Sequence, residues 1–376
     1  MKRFLKPLII LALLALIAAP GIGQAEPDSL QLPVDSLTAT ERAFQDSIQN
    51  LNEENRLRAE ALTLYNEGIA LFEAQRLPEA FQKLSDALSV LPALPDAWYN
   101  RAVVQAEMKR WDAALADLDS TAFYDPEYKD LTLVRSGFLM EASRFAEAKM
   151  VLDGLLSSNP ENLRALHRRG TALFLLNDAQ AAAADFQKAT SLDPAFAAAW
   201  NDLASAYRKM GQPERALGFL QQALKADARA AYILNNYGST LRSLERKEEA
   251  LKQYEAAIQA DPDYSLAYVN KISLLIELEK LPQAAPLSEK AIELFPADPA
   301  AWNLRGVVLR QQNDINASLK ALNQALHLDP GYATALLNRA ISREESGDGP
   351  GACADYRKAA NLGLEIAKKY LDRECN

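Results

Sequence analysis

The chain has 376 residues, of which 49% are hydrophobic and 24% charged, with a formal net charge of −9; this is the make-up of an ordinary soluble protein. The acidic balance argues against nucleic acid as the main partner. The only histidines, His167 and His327, stand far apart with no metal or triad spacing around either, so no cofactor and no catalytic centre is expected.

In chain order, Met1 to Ala25 has a basic start, an apolar run from Leu8 to Ala19 and a small-residue exit at Gly23-Gln24-Ala25. Residues 1–25 therefore read as a secretory signal peptide. The run is short for a membrane span and is followed by Pro20 and Gly21, so an uncleaved anchor is the less favoured alternative and no stable span is expected after cleavage. Export from a bacterial cytoplasm, to the periplasm or the cell envelope, is the expected location. Residues 26–34, with Pro27 and Pro33, read as a short disordered tether.

A helix is expected over 35–60. Asp35 or Ser36 is a candidate cap, and Leu37, Phe44, Ile48, Leu51 and Leu62 follow at spacings near 3.5, with no Gly or Pro before Gly68. One reading is a dimerising coiled coil. The favoured one is a capping helix that covers the otherwise exposed side of the helices after residue 60, because the seam contains Glu41, Asn55 and Arg58 and is too short for a convincing coiled coil.

From residue 61 the chain repeats itself every 34 residues without insertion or deletion. Units begin at 61, 95, 129, 163, 197, 231, 265, 299 and 333, and nine of them end at 366. With slots numbered from 1 in each unit, slots 4, 7, 8 and 11 share one face of a first helix, and slots 20, 24 and 27 one face of a second. Slot 20 is Ala80, Ala114, Ala148, Ala182, Ala216, Ala250, Ala284, Ser318 and Ala352. Slot 8 is small in eight units, as in Gly68, Gly170, Gly238 and Gly306, so two backbones approach closely there. Large residues sit beside them, such as Trp98, Trp200 and Trp302 at slot 4 and Leu84, Phe186 and Tyr254 at slot 24. Proline at slot 32 in seven units ends the second helix.

This pattern resembles the tetratricopeptide repeat, whose period is 34 and whose signature runs Trp-x2-Leu-Gly-x2-Tyr, Ala, Phe, Pro. The resemblance implies an all-α, right-handed superhelical solenoid of nine helix-turn-helix repeats, with N- and C-terminal capping helices and essentially no sheet. Two units depart from the pattern. Repeat 5 has Ala228 where proline is usual, so its second helix is expected to run on. Repeat 7 has Ile272 in the small slot 8, Ser288 in the large slot 24, and Pro286 within its second helix, where a kink or a delayed start is expected.

Beyond Gly363, residues 367–376 read as a C-terminal capping helix with Lys368, Lys369 and Arg373 facing solvent. The two cysteines, Cys353 and Cys375, flank Gly363. In an exported chain a disulfide between them is the natural reading, with two buried thiols as the alternative.

Function must then reside on the concave surface, which in proteins resembling this family is lined by slots 2, 5, 6, 9, 12 and 13. Repeats 1 to 4 offer Tyr65, Phe72, Tyr99 and Phe174 there, an aromatic stretch. Repeats 5, 6 and 8 offer Asn201, Ser205 and Arg208; Asn235, Ser239 and Arg242; and Asn303 and Arg310. Slot 6 adds Asn236 and Asn270. The asparagines look like the ladder with which the superhelix of O-linked N-acetylglucosamine transferases holds an extended peptide backbone, though the transferase domain itself is absent. The alternative is that they belong to the repeat consensus and solvate a face. Arg208, Arg242 and Arg310 form either a positive strip for an acidic segment or arginines paired internally by Glu277, Glu344 or Glu345. The dicarboxylate clamp of the family finds no matching triple of residues. The resemblance thus points to a non-enzymatic scaffold that binds a protein or extended peptide, in a cell-envelope assembly. Self-assembly through the N-terminal helix, and an accessory role beside an envelope enzyme such as a glycosyltransferase, stand as alternatives.

Overall fold

The structure is a computed structural model and describes residues 38–375. The expected signal peptide and tether lie outside the described residues. Nineteen helices and no strand occur among those residues. In each repeat a first helix, such as Ala197–Lys209, is followed by an antiparallel second one, such as Pro213–Ala226. The nine hairpins stack in sequence order.

Small residues at slot 8 set the spacing within each hairpin. A Cβ added to Gly170 would lie 2.6 Å from the Phe186 ring, and one added to Gly306 would lie 2.5 Å from Leu322. Neither separation is possible between carbon atoms, so the large residue of slot 24 occupies the space a slot 8 side chain would take. Repeat 7 inverts this arrangement. Ile272 and Ser288 are both fully buried, so the large residue now comes from the first helix and the small one from the second. Its second helix, Leu281–Leu294, contains Pro286 without a delayed start. Arg305 from the next repeat donates to the Ala285 carbonyl at 3.3 Å and to the Ser288 hydroxyl at 3.2 Å beside the proline.

Slot 15 turns the chain between the two helices and has positive φ in every unit. Gly211 and Gly347 occupy it in repeats 5 and 9, but Gln75, Lys109, Ser143, Asn177, Glu245, Glu279 and Asn313 adopt it elsewhere. The indoles of Trp98, Trp200 and Trp302 donate to the carbonyls of Pro92, Pro194 and Pro296, tying each first helix to the loop that precedes it. Trp200 is therefore half-buried rather than a full core residue.

Three expectations need correction. The second helix of repeat 5 does not run on. It ends at Ala226 because Asp227 accepts from the Arg229 amide at 3.1 Å, an Asx turn that stops the helix without proline. The N-terminal helix starts at Ala39, capped by Thr38 and Glu41 in a capping box, and runs unbroken to Glu73 as one 35-residue helix. It is continuous with the first helix of repeat 1, and Phe44, Ile48 and Leu51 on its N-terminal part are exposed. At the other end the last helix, Glu365–Glu374, begins two residues earlier than expected. A disulfide joins Cys353 on the second helix of repeat 9 to Cys375 beyond the last helix.

Candidate functional site

Successive first helices lie side by side and are cross-linked at a fixed offset of 35 residues, one more than the repeat. Slot 5 of one unit meets slot 6 of the next. Asn236 Nδ2 donates to Asn201 Oδ1, Asn270 Nδ2 to Asn235 Oδ1 and Asn338 Nδ2 to Asn303 Oδ1, each at 2.8 Å. The same junction is made by Asn100 Nδ2 donating to Tyr65 Oη at 3.0 Å, and by His167 Nε2 with Asp202 Oδ2 at 2.8 Å. Asn201, Asn235 and Asn303 are at most 5% exposed. They form the floor under the wall, with their side-chain carbonyls accepting from the next repeat, so the ladder fastens repeat to repeat. Ser205 and Ser239 are likewise turned inward, donating to the carbonyls of Asn201 and Asn235.

The second set of contacts joins slot 12 to slot 13 of the next unit, again 35 residues on. Arg242 pairs with Glu277 at 2.5 Å, and Arg310 pairs with Glu345 at 3.1 Å. The structure thus takes the internal alternative for these two arginines, and the continuous positive strip is not formed. Lys247 adds a second cation at 3.0 Å from Glu277, so hydrogen bonds from Lys247 and Arg242 hold the Glu277 carboxyl below its ordinary value of 4.5. Arg208 is the exception. Its slot 13 neighbour is Ser243, and among the described residues its guanidinium has neither an acidic partner nor a hydrogen-bond acceptor.

The aromatic end is less apolar than its composition suggests. Tyr65 and Tyr128 gather around Asp96, with Tyr128 Oη donating to Asp96 Oδ1 at 2.8 Å, and the Tyr99 ring lies 5.2 Å from that of Tyr128. Burial first, and then the Asp96 charge, push the Tyr65 hydroxyl up to about 12. Burial pushes Tyr99 and Tyr128 up as well, so all three remain neutral donors at physiological pH. Phe72 packs into the core with Leu77 and Val104. Phe174 is roofed by Lys209, whose Nζ lies 4.5 Å from the ring centre and donates to the Phe174 carbonyl.

Sequence reasoning missed one class of residue altogether. Slot 7, assigned to the apolar face, carries Arg101, Arg169 and Arg339, which make paired hydrogen bonds to Asp117, Asp185 and Asp355 at slot 23 of the same unit. These aspartates are at most 6% exposed. The recurrent 16-residue spacing of Arg and Asp was the available signal. Among the described residues no group of three His, Cys, Asp or Glu side chains is placed to hold a metal, and no helix is long and apolar enough to cross a membrane.

The 34-residue hairpins with small slots 8 and 20, stacked through a constant offset, define a helical-repeat protein of the kind that presents an extended concave face. Residues 65–128, 139–197, 201–265, 270–315 and 308–364 match the family model described as tetratricopeptide repeat, so the chain belongs to that family. It is 37% identical over 82 residues to tetratricopeptide repeat protein 36 of Xenopus tropicalis, a match covering 21% of this chain and 41% of that protein. The match to the Caenorhabditis elegans protein of the same name is 42% identical over 59 residues, covering 16% of this chain and 33% of that one. The chain thus spans less than half the length of these relatives. Its fold is similar to that in the crystal structure of the APC/C hetero-tetramer Cut9-Hcn1, with a TM-score of 0.54 at 16% identity over 84% of this chain and 76% of that one. A tetratricopeptide repeat protein from Parabacteroides merdae gives 0.54 and 16% over 65% of this chain and 98% of that one. Tetratricopeptide repeats typically mediate protein–protein interaction.

Proposed function

We propose that the chain is a non-enzymatic scaffold that holds a protein or extended peptide against the wall of its first helices. The observation that carries this reading is the constant 35-residue cross-linking, which lines up slots 5, 6, 12 and 13 of successive repeats along one surface. A photoreactive residue placed at Tyr99 in this wall should cross-link the partner, whereas one at the exposed Lys252 on a second helix should not. Cross-linking from Lys252 alone would sink the reading.

Export to a bacterial cell envelope is part of the proposal and rests on residues 1–25; the disulfide suits an oxidising compartment. The curated relatives come from animals, so the bacterial assignment draws nothing from them. Sequencing the N-terminus of the mature protein tests it, with Glu26 as the expected first residue and a retained Met1 as the contrary result. A second reading is favoured by one observation, the exposure of Phe44 at 66% and Leu51 at 56% on the N-terminal part of the long first helix. If this helix drives self-assembly, light scattering should give a defined oligomer that Phe44→Glu with Ile48→Glu converts to a monomer. A monomeric wild type removes that reading.

A further inference from the structure

Arg208 breaks a rule that the rest of the wall obeys. At slot 12, Arg242 and Arg310 each receive a glutamate from slot 13 of the following repeat, Glu277 and Glu345. For Arg208 that position is Ser243, which is exposed and donates its hydroxyl to the Thr240 carbonyl of its own helix. The guanidinium is half-buried on the same wall, near the Tyr254 hydroxyl, which in turn donates to Ser239 Oγ at 3.2 Å. Burial draws the Arg208 guanidinium below the ordinary arginine value, and no carboxylate offsets it. The guanidinium is half-buried and has no acceptor among the described residues, so a carboxylate that meets it on this partly dehydrated wall is bound more strongly than at an open surface.

We infer that Arg208, above Ser243, is the seat for a glutamate or aspartate side chain of the partner segment, which takes the place that Glu277 and Glu345 fill in the neighbouring junctions. The inference rests on the groove reading and names the chemistry of one position within it. The incoming carboxylate accepts from Arg208, while the Tyr254 and Ser239 hydroxyls already donate internally, to Ser239 Oγ and to the Asn235 carbonyl. Arg242 contributes little, because Glu277 already holds it.

The test supplies the missing internal acid. An acetylated and amidated Glu-rich dodecapeptide, whose carboxylates are all on side chains, is titrated by fluorescence anisotropy against the full chain. Ser243→Glu should weaken binding about tenfold while the melting temperature holds or rises, and Ser243→Gln should stay within about twofold of wild type. Arg208→Gln should weaken binding about tenfold in the wild type and less than twofold in the Ser243→Glu background, because the seat is then already filled. Equal losses in both backgrounds would show only distant charge repulsion and would overturn the assignment. So would a wild type that does not bind this peptide but binds one whose only carboxylate is its C-terminus. Binding that ignores Arg208 and Ser243 but is lost in Tyr65→Arg with Tyr99→Arg overturns the seat and keeps the groove. Binding that ignores all four positions overturns the groove as well.

Discussion

The junction between repeats 5 and 6 and the junction between repeats 6 and 7 share one plan up to their last residue. Each has an asparagine pair at 2.8 Å, Asn201 with Asn236 and Asn235 with Asn270. Each has a serine bonded back to its own helix, Ser205 or Ser239, and an arginine at slot 12. They part at slot 13 of the following helix, where Ser243 leaves Arg208 open and Glu277 closes over Arg242. The contrast separates two jobs that the repeat pattern merges. Buried amides and small slots hold the array together, whereas a single exposed slot decides whether the arginine beside it is paired within the protein.

The largest effect that would break the comparison comes from Tyr254, which underlies both junctions. It is 1% exposed, a Cβ on Gly238 would sit 2.7 Å from its ring, and its hydroxyl reaches Ser239. Tyr254→Ala should cost about 3–5 kcal/mol as a large-to-small core change. Because contacts run between neighbours, hydrogen exchange should quicken first in repeats 5 to 7. Uniform acceleration over all nine repeats would mean that the array opens as one unit and that junctions have no separate stability.

The next effect tests what the two junctions share. Asn235 is 1% exposed and accepts from Asn270, and Asn201 is 5% exposed and accepts from Asn236. Alanine at either position orphans the donor above it and should cost about 1–3 kcal/mol, similar in the two cases. A cost near zero at both, with peptide affinity lost, would instead return the asparagines to the binding surface.

How much of this was readable is decided by the distances involved. The register of nine hairpins, the close approach at slots 8 and 20, and the exchange of sizes between Ile272 and Ser288 are periodic within 34 residues, so the sequence shows them directly. The pairing of slot 5 with slot 6, and of Arg242 with Glu277, depends on an offset of 35 that exists only once helices are stacked. Asparagine at slot 6 therefore looked free when it was already bonded. The slot 7 arginines were hidden for another reason: the apolar-face template fits Leu203, but Arg101, Arg169 and Arg339 use the same direction to reach a buried aspartate. The N-terminal helix had the right composition, and its lack of Gly or Pro before Gly68 was the sign that it would run on rather than fold back.

A smaller effect sharpens the difference at slot 13. Glu277 is about a third exposed and pairs with both Arg242 and Lys247, so Glu277→Gln should cost no more than about 1 kcal/mol at neutral pH. Its carboxyl in the folded chain lies below 4.5, so the stabilisation is complete above the unfolded value and is lost as pH falls below about 4.5. The wild-type melting temperature should fall more steeply than that of Glu277→Gln over this acid range. The same variant releases Arg242, and should bind the Glu-rich peptide more tightly than wild type at pH 7. Parallel acid profiles would show that the pair contributes nothing to folding.

The smallest effect concerns the turns that deliver these two arginines. Slot 15 is Gly211 after Arg208 and Glu245 after Arg242, at φ +73° and +58°. A side chain in this left-handed region costs about 1–2 kcal/mol, while glycine costs about 0.4–1 kcal/mol through the freedom it gives the unfolded chain. Glu245 also pairs with Lys247, but its side chain is 78% exposed and Lys247 keeps Glu277, so little is lost with it. Glu245→Gly should therefore stabilise by about 0.5 kcal/mol. A Cβ at Gly211 meets no atom within 4 Å, so Gly211→Ala isolates the conformational term and should destabilise by about 0.5–1 kcal/mol. Opposite shifts in the urea midpoint would show that backbone conformation alone separates the two turns. If both variants destabilise, Glu245 is holding its turn through its side chain, and the turns, like slot 13, differ in chemistry as well as in shape.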